Sequence, residues 1–127
     1  MPELLSLVSA TPAHSVASQE LSEYLSASTR GVLRFVRMVG ATRIKRRYFA
    51  LPIQRLIALR GHTQRQAEYT RAALALCEAT AREALRLAGV GGSEVDAVVP
   101  VSCTGYLMPS LDAHLINRLE LSASARR

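Results

Sequence analysis

The segment Val95–Val101 constrains the fold more than any other part of the chain. Five of its seven residues are apolar, and it lacks the alternation of apolar and polar residues that a half-exposed strand shows. Such a run predicts a strand buried on both faces, as in parallel sheets covered by helices. It follows a long helical pattern over Thr63–Ala88, with apolar residues at spacings of three and four and Gly89 placed to end the helix. The two segments together predict an α/β fold.

A second apolar run, Leu4–Ser9, predicts another buried strand. One further helix is predicted from Ser15 or Ser18 to Leu25, with Glu20 near its start, and another over Arg30–Val39, with Gly40 as its left-handed end. A short helix is predicted from Pro52 to Leu59. The last helix is predicted to begin after the cap Ser110 and to continue to Leu119, with Asp112 in its first turn. Arg43–Leu51 carries too many charges for a core strand. Because two strands make a poor sheet, we expect the chain to be part of a larger fold.

Basic residues are concentrated in the first half of the chain. The 127 residues include 16 basic and 10 acidic residues, a formal net charge of +6, and no acidic residue falls between Glu23 and Glu68. Such a block predicts an anionic partner, namely a nucleic acid, a phosphorylated cofactor or a membrane surface, although a solvated basic face is the alternative. Arg34 and Arg37 are three residues apart, so they share a helix face that could bind a phosphate.

Several classes of protein are disfavoured by what the sequence lacks. No segment approaches the roughly 20 apolar residues of a membrane span, and Met1–Ala10 has no basic region typical of a signal peptide. Cys77 and Cys103 have neither the spacing of a metal site nor that of a disulfide framework. We therefore expect a cytoplasmic protein with reduced thiols, no metal and no membrane partner. Aromatic residues are 5% of the chain and no zinc or helix-turn-helix signature occurs, which disfavours a nucleic-acid partner.

Cys103 is the residue whose position most suggests chemistry. It follows the predicted strand Val95–Val101 where the chain enters a loop, and ligands collect at the carboxyl ends of strands in α/β sheets. Cys103 could be a nucleophile with His114 as its base, or it could line a pocket. The apolar neighbours of His114 favour packing and therefore the second interpretation, but the residues alone leave both open. Cys77 is expected in the core, and His14 and His62 in loops without partners.

Three ordered stretches resemble the type III polyketide synthases, the chalcone/stilbene synthase-like family. They are Val8-Ser9-Ala10-Thr11-Pro12, then Arg34-Phe35-Val36-Arg37-Met38 with Ile44-Lys45-Arg46-Arg47-Tyr48, and finally residues 98–121. Within the last stretch, Ser102-Cys103-Thr104-Gly105-Tyr106 and Met108-Pro109-Ser110-Leu111-Asp112-Ala113 resemble the bacterial branch. The resemblance covers essentially the whole chain. It implies that residues 1–127 are the N-terminal portion of a thiolase-like domain, with part of its layered α/β/α arrangement.

The resemblance also implies an activity and a site. Members of this family are cytosolic homodimers that load an acyl group from coenzyme A onto a cysteine and extend it with malonyl-CoA by decarboxylative condensation, without a metal or a bound cofactor. By resemblance, Arg34 and Arg37 would contact the phosphates of coenzyme A, while a third basic position falls on Ala41. Cys103, Thr104 and Met108 would bind substrate as parts of the cavity wall, with Met108 reaching the cavity of the second subunit.

Two departures from the family affect what the chain can do. The family's Cys-His-Asn triad is expected beyond Arg127, so no catalytic residue is assigned and the chain alone is expected to be inactive. Glu120 occupies a turn where the family usually has glycine, and a left-handed backbone there is unfavourable for glutamate. The sequence therefore predicts the N-terminal part of an acyltransferase. The alternatives are an inactive short homologue that docks on a full-length synthase and, less favoured, a basic nucleic-acid-binding module.

Overall fold

The computed structural model describes residues 1–28 and 33–127, and it describes side chains at all of these positions except 27, 28 and 33–35. The chain divides into two compact units. The first, Thr11–Leu59, contains eight basic and two acidic residues, and we call it the basic unit. The second combines Met1–Ala10 with Arg60–Arg127, contains eight basic and eight acidic residues, and is called the neutral unit. The formal net charge of +6 therefore belongs entirely to the basic unit.

The basic unit is a two-stranded ribbon with three helices. Its elements are β1 (His14–Ala17), α1 (Ser18–Ser28), α2 (Leu33–Ala41), β2 (Arg46–Phe49) and α3 (Ile53–Ala58). β1 and β2 pair antiparallel, with Val16 opposite Arg47. A small core forms where both strands meet the helices, from the buried residues Val16, Leu21, Val39 and Ile53.

Local signals predict the helices of this unit better than its strands. Glu20 lies in the first turn of α1, and α3 begins directly after Pro52, as expected. The predicted start of α2 at Arg30 lies outside the described residues. Gly40 was expected to end α2 in a left-handed conformation, but it lies within the helix, and Arg43 takes the positive φ of 55° instead. β2 was not predicted as a strand, because a ribbon with one solvated face tolerates charges that a core strand excludes.

The neutral unit is built on one long helix. Its helices are α4 (Gly61–Ala88) and α5 (Leu111–Arg118), with a short 3₁₀ turn over Gly92–Glu94 between them. Gly89 ends α4 with a left-handed φ of 66°, as its sequence position indicates. α4 begins at Gly61, before the predicted start of the helical pattern at Thr63, and Gln64 Oε1 accepts a 2.7 Å hydrogen bond from the Arg60 N–H. Among the described residues, no helix is both long enough and apolar enough to cross a membrane.

A shared carboxylate joins the two helices of the neutral unit. Glu78 of α4 pairs with Arg82 on the same helix at 3.1 Å and with Arg118 of α5 at 2.8 Å. Arg82 also donates a 2.5 Å hydrogen bond to the carbonyl oxygen of Arg118. α5 begins after Ser110 with Asp112 in its first turn, which confirms the predicted helix start.

The two predicted buried strands are wrong. Leu4–Ser9 forms no strand, and the side chains of Leu4 and Leu7 are 77% and 84% exposed. Val95–Val101 contributes only one parallel bridge, between Ala97 and Arg126, and Val101 is 90% exposed. A strand requires hydrogen-bonded neighbours, and the described residues supply none for the first segment and one for the second. An apolar run indicates that a segment can form a buried strand when neighbouring strands are present. It does not show that those neighbouring strands exist.

The turn after α5 confirms the left-handed position expected at Glu120. Its φ is 53°, and the Leu121 N–H donates to the Ile116 carbonyl at 3.0 Å, the bond that closes a Schellman-type helix end. Gly92 packs against this turn, since an added Cβ would stand 2.7 Å from the Leu119 carbonyl oxygen and 2.8 Å from that of Glu120. The turn therefore combines an unfavourable residue with a close backbone approach.

Candidate functional site

The loop Ser102–Pro109, called the 102–109 loop, lies against the first half of α4. The Tyr69 hydroxyl is 2.6 Å from Ser102 Oγ, and Gln66 Nε2 donates to the carbonyl oxygen of Tyr106. The ring of His62 stacks on the ring of Tyr106, with centroids 6.0 Å apart and planes 25° apart. His62, Gln66 and Tyr69 are spaced four and three residues apart, so they lie on one face of α4.

Gly105 fits into this loop because it has no side chain. A Cβ built on Gly105 would stand 2.5 to 2.8 Å from three atoms of the Tyr69 ring, closer than real Cβ atoms approach. Any other residue would therefore displace the loop, the ring or both. The glycine of the Ser-Cys-Thr-Gly-Tyr motif is thus explained by close packing on α4.

Two small clefts flank the loop. One encloses about 230 Å³ and is lined by Tyr69, Ser102, Tyr106, Ser110 and Asp112 among others. The other encloses about 190 Å³ and is lined by Gln66, Thr70, Tyr106, Leu107, Met108 and His114. Both clefts are open, and both include atoms of the 102–109 loop.

Asp112 places a carboxylate in the first cleft. The residue is 8% exposed, and its Oδ2 lies 3.7 Å from Arg127 Nε. Hydrogen bonding to Ser110 is the largest influence and lowers the pKa of Asp112, with a smaller contribution from Arg127. The start of α5, where the helix dipole favours negative charge, is a favourable place for an ionised aspartate.

The three residues expected in the substrate-binding wall lie on the 102–109 loop and are exposed. Cys103 and Thr104 line neither cleft, whereas Met108 lines the smaller one and is 93% exposed. The hydrogen bonds of the described residues include none from the Cys103 thiol to His114, which is half-buried beside Met108. Within this unit the loop presents these side chains outward without enclosing them.

The two arginines expected to contact coenzyme A belong to α2 in the basic unit. Their spacing places Arg34 and Arg37 on one face of that helix. The Arg34 side chain lies outside the described part of the structure, Arg37 is exposed, and Ala41 is the last residue of α2. All five ion pairs among the described side chains lie in the neutral unit.

Hydroxyl groups, rather than carboxylates, contact the arginines of β2. Arg46 Nη1 donates to Ser15 Oγ and Arg47 Nη2 donates to Thr42 Oγ1, each at 2.8 Å. The Nε atom of Arg47 is buried without a hydrogen-bond partner. Because these hydroxyls carry no charge, the positive potential of the basic unit remains available to an anionic ligand.

The two cysteines have different environments. Cys77 is half-buried on α4, and burial raises the pKa of its thiol, which disfavours the reactive thiolate. Cys103 is exposed. No group of three histidine, cysteine or acidic side chains that could hold a metal ion occurs among the described residues.

Comparisons with known proteins concern nearly the whole chain. No protein-family model matches it. The phloroglucinol synthase of Pseudomonas fluorescens is 37% identical over 116 residues, which are 89% of this chain and 33% of that protein. A 1,3,6,8-tetrahydroxynaphthalene synthase of Streptomyces peucetius is 32% identical over 124 residues, or 93% of this chain and 32% of that protein.

The solved structure of 1,3,6,8-tetrahydroxynaphthalene synthase from Streptomyces coelicolor, a bacterial type III polyketide synthase, matches the fold. Its TM-score is 0.80 at 28% identity, over 92% of this chain and 34% of that chain. The chain belongs to the type III polyketide synthases. Germicidin synthase from the same organism, also a type III polyketide synthase, matches the fold with a TM-score of 0.74 over 92% of this chain and 39% of that chain, at 23% identity.

The expected family and its thiolase-like α/β fold class are therefore confirmed. The chain spans about a third of the length of the relatives that it matches. The sequence motif predicts the 102–109 loop, but no prediction from the sequence includes the face of α4 that contacts the loop. His62, expected in a loop without a partner, lies in α4 and stacks on Tyr106. The available signal was the spacing of His62, Gln66 and Tyr69 on one helix face.

Proposed function

We propose that this chain is the N-terminal part of a cytoplasmic acyltransferase that condenses an acyl-CoA starter with malonyl-CoA. The observation that carries the proposal is 37% identity to a phloroglucinol synthase over 89% of the chain. Phloroglucinol and tetrahydroxynaphthalene synthases both have names that describe polyhydroxylated aromatic products. We accordingly assign the chain to synthesis of a polyketide, with coenzyme A thioesters as substrates and no bound cofactor.

The charge of the basic unit supports binding of coenzyme A. Its formal charge is +6, and none of its described side chains forms an ion pair with an acidic residue. We assign Arg34 and Arg37 to the phosphates of coenzyme A, because two guanidinium groups on one helix face can donate several charge-assisted hydrogen bonds to phosphate oxygens. Positive potential also raises the local concentration of an anionic thioester.

The exposure of the 102–109 loop supports its role as a cavity wall completed by other parts of the synthase. Cys103, Thr104 and Met108 present their side chains outward. We assign Cys103 and Thr104 to the wall around the growing acyl chain, and Met108 to the contact with a second subunit of a homodimer. Exposed methionine adapts well to such an interface, because its side chain is flexible and polarisable.

The chain by itself is proposed to be inactive. Condensation requires a nucleophile to carry the acyl group, together with groups that stabilise the developing enolate or oxyanion. Cys77 is half-buried with a raised pKa, and Cys103 has no hydrogen-bonded base among the described residues. We therefore propose that the catalytic Cys-His-Asn triad is supplied by residues that follow position 127 in the complete synthase.

A fusion tests this function. In the fusion synthase, the chain replaces the matching third of the phloroglucinol synthase of Pseudomonas fluorescens, and labelled malonyl-CoA is supplied with a starter acyl-CoA. We expect labelled products from the fusion synthase and none from the 127-residue chain. Product from the chain above a no-protein control would contradict its assigned inactivity, and a folded fusion synthase without product would contradict the assigned function.

The exposed apolar segments also favour a second candidate, an inactive homologue that docks on a full-length synthase. Leu4, Leu7 and Val101 are largely exposed and would be covered by such a partner. Affinity purification of the tagged chain with a co-expressed type III synthase distinguishes the two. Stoichiometric co-purification, together with an inactive fusion synthase, would favour the docking protein.

A further inference from the structure

We infer that Tyr69, with His62 and Gln66, positions the 102–109 loop and thereby sets which side chains of that loop face the substrate. The inference rests on the proposed function, which makes Cys103, Thr104 and Met108 parts of the cavity wall. His62, Gln66 and Tyr69 are positioning residues and not catalytic residues, because they contact the loop and not a reacting group.

Tyr69 contacts both residues that flank the pair Cys103-Thr104. Its hydroxyl lies 2.6 Å from Ser102 Oγ on one side, and its ring lies against Gly105 on the other. A single side chain therefore fixes both ends of a two-residue segment whose own side chains are exposed. This bracketing is the geometry expected of a positioning residue, since the fixed ends restrict the directions that Cys103 and Thr104 can take.

His62 and Gln66 extend the same contact along the helix. Gln66 donates to the Tyr106 carbonyl, and His62 stacks on the Tyr106 ring, so the residue after Gly105 is held through both its backbone and its side chain. The three contacts lie between positions 62 and 69 of α4, which are seven helical steps apart, or roughly 10 Å at the helical rise per residue. A hydroxyl pair, an amide donor and a ring stack have different geometric requirements, and together they specify one loop conformation.

In the complete synthase, we expect the position of the loop to affect the selectivity among products more than the rate of turnover. A displaced loop would change the shape of the cavity wall while leaving the nucleophile and the coenzyme A phosphates untouched. Substitutions at Tyr69 should therefore alter the distribution of products more than the total turnover. This distinguishes a positioning residue from one that only supports folding, whose loss would lower all products together.

Alkylation of the two cysteines measures loop position in the 127-residue chain itself. The ratio of the Cys103 rate to the Cys77 rate is followed by mass spectrometry, with half-buried Cys77 as an internal reference for unfolding. We expect Tyr69→Leu and Gly105→Ala each to change this ratio by roughly threefold or more, because thiol reactivity follows access and local environment. Tyr69→Phe, which keeps the ring and loses the hydroxyl, should fall between Tyr69→Leu and the unchanged chain.

Two controls make the result interpretable. Gly40→Ala is the matched glycine substitution, since nothing lies within 4 Å of the added Cβ, and its ratio should equal that of the unchanged chain. The double variant Tyr69→Leu with Gly105→Ala should show no further change beyond the single variants, because both act on one contact. Ratios for Tyr69→Leu and Gly105→Ala that match Gly40→Ala would overturn the inference.

The fusion synthase separates this inference from the proposed function. There we expect Tyr69→Leu to change the ratio of products of different chain length, while Tyr69→Phe restores it in part. A shifted alkylation ratio with an unchanged product distribution would show that the loop is positioned by Tyr69 but does not face substrate, and would overturn the selectivity role. An inactive fusion of the unchanged chain would count against the proposed function, and the alkylation result would still decide the positioning of the loop.

Discussion

Glu120 is an unfavourable residue for the backbone conformation of the turn in which it lies. Its φ of 53° is left-handed, and at this position after a helix glycine is strongly favoured over residues with a Cβ. The turn persists because the Leu121–Ile116 hydrogen bond and the packing of Gly92 both require it.

Replacing Glu120 with glycine should stabilise the chain. Removal of the left-handed strain outweighs the extra entropy of an unfolded glycine, and we expect a gain of about 0.5–1 kcal/mol in the free energy of unfolding. Urea denaturation followed by circular dichroism measures it. Gly89→Ala, at the left-handed end of α4, is the opposite control and should destabilise. A transition midpoint for Glu120→Gly at or below that of the unchanged chain would contradict this account.

Arg34 and Arg37 offer a second test at single residues. In the fusion synthase, changing both to alanine should raise KM for the acyl-CoA about tenfold at low salt while kcat changes less, since the phosphates are remote from the reacting carbonyl. Higher salt should reduce the effect by screening. Lys45→Ala with Arg55→Ala removes the same two charges from exposed positions of the basic unit and should leave KM nearly unchanged. Equal effects from both sets would show that only net charge matters.

At the scale of elements, the contact between α4 and α5 includes one shared carboxylate, that of Glu78. Hydrogen bonding to Arg118, and then to Arg82, lowers the pKa of Glu78 below its usual value, and Ser110 does the same for Asp112. A carboxyl group whose pKa is lower in the folded state stabilises the fold above its unfolded pKa. This contribution is lost as the pH falls through the lowered folded value.

We therefore expect Glu78→Gln to reduce the loss of stability that accompanies acidification below about pH 4.5. Thermal unfolding between pH 7 and pH 3 measures the slope. Glu68→Gln is the matched control, because Glu68 pairs with Arg71 inside α4 and does not join the two helices. If both variants keep the slope of the unchanged chain, the Glu78 contact does not couple α4 to α5.

Helix ends were predictable because their signals are local. Pro52, Gly89 and Ser110 mark helix boundaries through their own backbone and capping preferences, which act whatever the rest of the chain does. Strands were not predictable in this way. Leu4–Ser9 and Val95–Val101 have the composition of buried strands, but among the described residues the first pairs with no strand and the second forms a single bridge, whereas β2 gains a neighbour in β1 despite its charges.

The same distinction between local signals and contacts distant in sequence applies to the candidate site. The resemblance identified the 102–109 loop because its motif is a contiguous run of residues. The part played by Tyr69 depends on contacts with Ser102 and Gly105 more than 30 residues away in sequence, and no local pattern encodes which loop a helix face will meet. Gly105 carried a usable hint, since glycine inside a motif often marks a close approach of other groups.

For the whole molecule, the exposed apolar segments predict association. Leu4, Leu7, Val99 and Val101 expose most of their side chains, and the segment 95–101 forms a single bridge with the other described residues. We expect the 127-residue chain to elute as oligomers above 13.8 kDa in size-exclusion chromatography with light scattering. Val99→Lys with Val101→Lys should shift the population towards the monomer, whereas Ser93→Lys, which adds charge at an exposed polar position, should not. A monodisperse 13.8 kDa species from the unchanged chain would refute this prediction.

The division of charge between the two units determines which part of the chain binds to an ion-exchange resin. With +6 on Thr11–Leu59 and zero on the remainder, a cation exchanger would retain the chain through the basic unit alone. Cleavage at the Leu59–Arg60 junction would then yield residues 1–59 with a formal charge of +5, which would be tightly retained, and residues 60–127 with a charge of +1, which would be retained weakly. Anionic ligands that occupy the basic unit would also compete with the resin, so that chromatographic retention becomes a direct assay of what that unit binds.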